Sequence, residues 1–164
     1  MEEHDGERAL GPRHRWVDSW QRHREGSAQA QWALDLSGTR HNRRMTRVLI
    51  VDDDPSICQI VATLLTFEGY QVDTAPDGRA ALQRIGVTVP DVVVADVNMP
   101  HLNGFELLAA LRADPALAVV RVVLASGLTD GAPGTGQAGE QADARIVKPF
   151  TRAQLLAALR SVGC

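Results

Sequence analysis

Five short stretches punctuate residues 45–164: VLIV (48–51), YQVDTA (70–75), VVVA (92–95), VVLA (122–125) and RIV (145–147). Most are apolar and rich in β-branched residues, as expected of strands in a parallel sheet covered on both faces. Between them the apolar positions take up helical spacing. The first helix begins at Pro55, with Asp54 placed as N-cap and proline at the favoured first helical position. Ile57, Ile60, Val61, Leu64 and Leu65 form its expected buried stripe, and Gly69 ends it. A second helix is expected over 77–85, buried through Ala80, Ala81, Leu82 and Ile85. The loop NMPHLNG (98–104) leads into a helix over 105–113, and RAQLLAALRSV (152–162) forms the last. This alternation predicts an α/β fold, a doubly wound parallel sheet of five strands with helices on both faces.

One segment breaks the alternation. GLTDGAPGTGQAGEQADA (127–144) stands where a fourth helix belongs. At about 1 kcal/mol for each interior glycine and about 3 for proline, Gly131, Pro133, Gly134, Gly136 and Gly139 disfavour a regular helix by roughly 7 kcal/mol. An irregular, mobile segment is expected there in place of helix 4, with a helical turn near 137–142.

Residues 1–44 lack a sustained apolar period, and their Arg-, Gln- and His-rich composition predicts a disordered N-terminal extension to a domain spanning 45–164. Trp16 and Trp20, one helical turn apart, are the exception and suit a docking segment; Gly26 and Ser27 interrupt it. Translation starting at Met45 is a further reading, because MTRVLIVDDDP enters the first strand almost at once. The net charge of −3 divides into +1 over residues 1–44 and −4 over 45–164, which does not suggest a nucleic-acid-binding surface. No apolar stretch approaches the roughly 20 residues of a membrane span, and the N-terminus lacks a secretory core, so a cytoplasmic location is expected. Cys58 and Cys164 make neither a disulfide framework nor a metal site.

The candidate chemistry sits where the strands end. VLIV runs into Asp52, Asp53 and Asp54; VVVA into Asp96; VVLA into Ser126; RIV into Lys148-Pro149. In an open α/β sheet the ligand crevice lies beyond the carboxyl ends of the strands, so these residues should converge. Individually each has a plainer reading: a strand-end aspartate is usually a cap or turn residue, which is Asp54's assignment, and proline after a strand is common punctuation. Their combination at four strand ends favours a site. Carboxylates about 4 Å apart repel by around 4 kcal/mol at an effective dielectric of 20, and a divalent cation removes that cost. Mg²⁺ suits these oxygen ligands, with Asp53 and Asp96 as direct-ligand candidates and Asp52 acting through a water. Lys148 and Ser126 would then serve phosphoryl oxygens as point charge and hydroxyl donor, with a carboxylate as nucleophile. Neither G-x-G-x-x-G nor G-x-x-x-x-G-K-[ST] follows the first strand, and three acids there would repel a nucleotide phosphate.

VLIVDDDP, VVVADVNMPHLNGFELL, VVLASG and RIVKPF, in this order and spacing, resemble the motifs of the two-component response regulator receiver domain (CheY-like), over residues 45–164. The resemblance implies a flavodoxin-like sheet of order 2-1-3-4-5. It implies that Asp96 accepts a phosphoryl group from a histidine kinase, that Asp52, Asp53, Asp96 and the Asn98 carbonyl hold Mg²⁺, and that Ser126 and Lys148 bind phosphoryl oxygens. It also implies a cis Lys148-Pro149 peptide. Two features depart from the pattern: Arg145 stands where the family often places an aromatic, and the glycine-rich segment alters the customary output face.

The expectation is a stand-alone response regulator of a phosphorelay, because no output or DNA-binding domain follows the last helix. It would signal by protein contact or pass its phosphoryl group to a histidine phosphotransfer protein. It is expected to be a phosphoacceptor that assists its own phosphorylation and hydrolysis, not an enzyme with a separate substrate. The alternative is a phosphorylation-independent interaction module. Asn98 and Leu128 are expected to flank the phosphoryl group, and apolar Leu128 should position an attacking water poorly. Leu128→Glu should therefore change the dephosphorylation rate, followed as decay of the phosphorylated protein; an unchanged rate would remove Leu128 from that position.

Overall fold

The computed structural model describes residues 45–127 and 141–164. Its strands are β1 (Arg47–Val51), β2 (Gln71–Ala75), β3 (Val92–Asp96), β4 (Arg121–Ser126) and β5 (Ala144–Val147). Its helices are α1 (Pro55–Phe67), α2 (Gly78–Val87), α3 (Gly104–Ala113) and α4 (Arg152–Ser161). All strand pairings are parallel, in the order β2-β1-β3-β4-β5. The expected irregular segment and its helical turn fall largely on residues 128–140, and the expected disordered extension on 1–44; these lie outside the described residues, as does Leu128.

Burial follows position in the sheet. β3, at its centre, is buried at every residue, and β1 and β4 nearly so. β2 and β5 lie outside them, and in β5 only Ile146 is fully buried. The run RIV thus forms a half-exposed strand, with Arg145 in solvent. Val48, Ile50, Val92, Val94 and Val123 pack on one face with Val61 and Leu65 of α1 and Leu155 and Leu159 of α4. Alternate strand residues such as Leu49, Val93 and Leu124 point to the other face. There Leu82 and Ile85 of α2 and Leu107, Leu108 and Leu111 of α3 are buried.

Local chemistry explains the helix boundaries. Asp54 caps α1 by accepting the Ser56 N–H at 2.8 Å, as expected. α2 begins one residue later than the apolar spacing suggests because Asp77 is its N-cap, accepting the Ala80 N–H at 2.7 Å. Asn103 and Glu106 form a capping box on α3, and Thr151 and Gln154 one on α4. α1 ends in a Schellman motif, with the Gly69 N–H donating to Thr66 O at 3.1 Å and the Tyr70 N–H to Leu65 O at 3.0 Å. Gly69 supplies the left-handed φ of 90° that this turn requires. Ile60, expected in the buried stripe of α1, is instead 67% exposed. The helix turns Cys58, Val61 and Leu65 fully inward, and Ile60 lies on the opposite side.

At the amino ends of β4 and β5, Asp143 acts as a hub. Its carboxylate accepts the Val122 N–H at 2.8 Å and pairs with Arg112 at 2.7 Å and Arg121 at 2.9 Å. Burial alone would raise this carboxyl's pKa, but the Val122 and Arg121 hydrogen bonds and the two guanidinium charges outweigh it and hold the pKa below the ordinary value.

Gly104 opens α3 directly against the backbone of Asp96, and its N–H donates to Val97 O at 3.1 Å. A Cβ there would overlap the Asp96 carbonyl oxygen. Gly104→Ala should lower stability by about 1–3 kcal/mol, the usual cost of overpacking. Urea unfolding measures it; an unchanged midpoint would show that this backbone moves aside freely.

Candidate functional site

The sheet topology assembles the site at the point where the strand order reverses. Crossovers leave β1 and β3 in opposite directions along the sheet, opening a crevice beyond their carboxyl ends. Val51 pairs with Ala95, so Asp52 and Asp96, each one residue farther on, lie side by side. Both are buried, at 5% and 8% exposure. Across the sheet, Ser126 pairs with Val147, which sets Lys148 just beyond the strand ends.

Lys148 joins the two aspartates. Its Nζ lies 2.6 Å from Asp52 Oδ2 and 2.9 Å from Asp96 Oδ2. The other oxygen of each carboxylate is held by backbone: Asp52 Oδ1 accepts the Asp54 N–H at 2.9 Å, and Asp96 Oδ1 the Asn98 N–H at 3.3 Å. Burial works against the Lys148 ammonium, but its hydrogen bonds to Asp52 and Asp96 and their negative charges prevail, raising its pKa above the ordinary 10.5. The stabilisation from this raised pKa is fully present below the unfolded-state value and is lost as pH rises through the folded-state value.

Asp53 completes an acidic set at the mouth of the crevice. Oxygens of Asp52, Asp53 and Asp96 all lie within 4.8 Å of one another, with Asp53 exposed. Two ligands of one Mg²⁺ at about 2.1 Å can be at most ~4.2 Å apart, so a small contraction or one bridging water fits this set to that ion. The donors are all hard oxygens, as Mg²⁺ requires.

Of the residues singled out by sequence, the structure unites the side chains of Asp52, Asp53, Asp96 and Lys148. Ser126 ends β4 beside them, its carbonyl accepting the Lys148 N–H at 2.7 Å. Asn98 adjoins through its backbone N–H. Lys148-Pro149 is cis, as the resemblance implied. Asp54 has a role beyond capping α1, because its N–H orients Asp52. Gly104 was not anticipated as a neighbour of Asp96; its only sequence signal was its place at the end of NMPHLNG.

Residues 48–160 match the family described as the response regulator receiver domain. This chain belongs to that family. The receiver is 38% identical over 120 residues to a probable transcriptional regulator, ycf27, of Galdieria sulphuraria, covering 73% of this chain and 46% of that protein. It is 36% identical over 117 residues to the transcriptional regulatory protein KdpE of Mycobacterium tuberculosis, covering 71% of this chain and 50% of the relative. The chain thus spans about half the length of these curated relatives. Among solved structures, chemotaxis protein CheY4 of Vibrio cholerae is similar with a TM-score of 0.65 at 38% identity, covering 72% of this chain and 98% of that one. The response regulator TrrA of Thermotoga maritima, solved in complex with Mg²⁺-BeF, matches with a TM-score of 0.64 at 28% identity, covering 72% of this chain and 99% of that one. No helix among the receiver's described residues is long and apolar enough to cross a membrane.

A double-mutant cycle in Mg²⁺-free buffer reads the central ion pairs directly. Lys148→Met should destabilise the receiver by about 2–3 kcal/mol, below the full cost of breaking a buried pair because the lysine is partly exposed. Asp96→Asn should be about 1–2 kcal/mol more favourable in that background than in wild type. Additive urea-unfolding energies would mean that Lys148 and Asp96 do not interact in solution.

Proposed function

We propose that this receiver accepts a phosphoryl group on Asp96 from the phosphohistidine of a histidine kinase or phosphotransfer protein. The observation that carries the reading is the Lys148 ammonium held between Asp52 and Asp96 in an acidic crevice at the strand ends. Phosphoryl transfer asks a protein chiefly for positioning and charge neutralisation, and these residues supply both. A carboxylate oxygen of Asp96 attacks phosphorus, the P–N bond of the donor breaks, and its electron pair returns to the imidazole. The product is an acyl phosphate on Asp96.

Each neighbour has a task in that step. The Asn98 N–H holds one oxygen of Asp96 and so orients the other. As charge moves onto the phosphoryl oxygens, Lys148 exchanges its contact with Asp96 for one of them, keeping Asp52 as its second partner. Ser126, at the end of the neighbouring strand, donates its hydroxyl to another oxygen. Asp52, Asp53, Asp96 and the Asn98 carbonyl would hold Mg²⁺, which when bound neutralises the carboxylates and the transferring group. The signal then leaves by contact with an effector protein. The solved complex of TrrA with Mg²⁺-BeF supports this assignment for the corresponding fold.

Intact mass after incubation with acetyl phosphate tests the reading. A phosphate adduct that requires Mg²⁺ and disappears in Asp96→Ala is expected. An absent adduct, confirmed with phosphorylated kinase as donor, would favour a receiver that acts as a phosphorylation-independent interaction module.

A further inference from the structure

Asp143 directly precedes the four residues of β5, and Lys148 directly follows them. The strand is weakly anchored along its length. It pairs with β4 at the side of the sheet, and Ile146 is its one fully buried residue. A single apolar anchor specifies register weakly, so the position of β5 along β4 rests largely on what holds its two ends.

At the first end Asp143 clamps a single residue of β4. Its N–H donates to Val122 O at 2.9 Å, while its carboxylate accepts the Val122 N–H at 2.8 Å. A slip of one residue, roughly 3.3 Å, would break both bonds. The carboxylate is held in turn by Arg112 at 2.7 Å and Arg121 at 2.9 Å. Arg112 and Asp143 are each only 19% exposed, which sets this pair apart from a screened surface contact. Arg112 also donates to Val120 O at 2.9 Å, so the guanidinium is itself fixed to the chain entering β4.

Arg112 lies in the last turn of α3, and Gly104, the first residue of the same helix, rests against the Asp96 carbonyl. One helix thus touches Asp96 at one end and, through Arg112, the start of β5 at the other. Lys148, 2.9 Å from Asp96, closes the circuit. An extended strand is near the chain's full reach and cannot lengthen, so a displacement of its start is passed to its end. We infer that Asp143 is a positioning residue for Lys148: clamped to Val122 and held by Arg112 and Arg121, it sets where β5 ends and so keeps the ammonium within reach of Asp96. Arg112 acts the same way one step further back. The consequence for rate rests on the phosphoryl transfer to Asp96 proposed above; the consequence for the contact between Lys148 and Asp96 does not.

The decisive measurement is the coupling between Lys148 and Asp96, obtained from urea unfolding of Lys148→Met, Asp96→Asn and the double variant in Mg²⁺-free buffer, then repeated in an Asp143→Ala background. Any structural role for Asp143 would lower stability, but a positioning role also lowers this coupling, to about half or less. An unchanged coupling overturns the proposal. With acetyl phosphate and Mg²⁺, Asp143→Ala should be labelled on the order of tenfold more slowly than wild type, within the roughly hundredfold cost that a misplacement of about 1 Å can carry. In a Lys148→Met background the same substitution should have less than about a twofold effect, because the lysine through which it acts is gone. An equal loss in both backgrounds overturns the proposal. If Asp143→Ala fails to fold, Asp143→Asn, which keeps an acceptor for the Val122 N–H, and Arg112→Met take its place in both cycles. A lowered coupling in a protein whose wild type takes no phosphate upholds the positioning role and overturns the phosphoryl-transfer reading alone.

Discussion

The short contacts from Lys148 to Asp52 and Asp96 are the constraint on which the crevice depends. Two carboxylates at adjacent strand ends, each more than nine-tenths buried, would repel by several kcal/mol without a counter-charge. The ammonium that follows β5 lies between them and offsets that repulsion. The cation comes from 96 residues along the chain from Asp52, so the site exists only once the whole sheet has formed. Burial opposes the charge on Lys148 and the two anions sustain it, which leaves a compact set of groups of alternating sign. That arrangement is suited to exchanging one ionic partner for another, as the proposed phosphoryl transfer requires.

Around this centre the backbone does much of the orienting. The same turn that starts α1 directs the Asp54 N–H at Asp52, and the turn after β3 directs the Asn98 N–H at Asp96. Gly104 lets α3 begin against the Asp96 carbonyl, so the α3 packing that buries Leu107, Leu108 and Leu111 also bears on the position of Asp96. At the other end of the sheet, Asp143 ties β5 to β4 and to Arg112 of α3. β5 is a short strand with one fully buried residue, and this hub secures the end opposite Lys148. Stability and site geometry are therefore coupled through β5.

α1 links the site to the surface. Its first turn adjoins the acids, its inner side fills the core against β1 and β2, and its outer side is left uncharged. Polar but neutral residues such as Gln59 and Thr63 share that side with the exposed Ile60 and Phe67.

The fold and most of the site were legible in the residues themselves. A parallel sheet requires nearly continuous apolar runs, and a doubly wound sheet requires functional groups at the carboxyl ends of its strands. VLIV, VVVA and VVLA, with the acids and hydroxyl that follow them, therefore stated both architecture and location. The Asp54 cap was equally local, because it bonds to an N–H group two residues away. Tertiary structure alone decided which sides were covered. Ile60 has the spacing of a buried residue but faces solvent, since helical period identifies an apolar side without stating how wide a strip the sheet will cover. RIV reads as a buried strand but lies at one side of the sheet, because strand order is a property of the crossovers. Gly104 against Asp96 and Lys148 between two aspartates are contacts between distant segments, and only packing determines those distances.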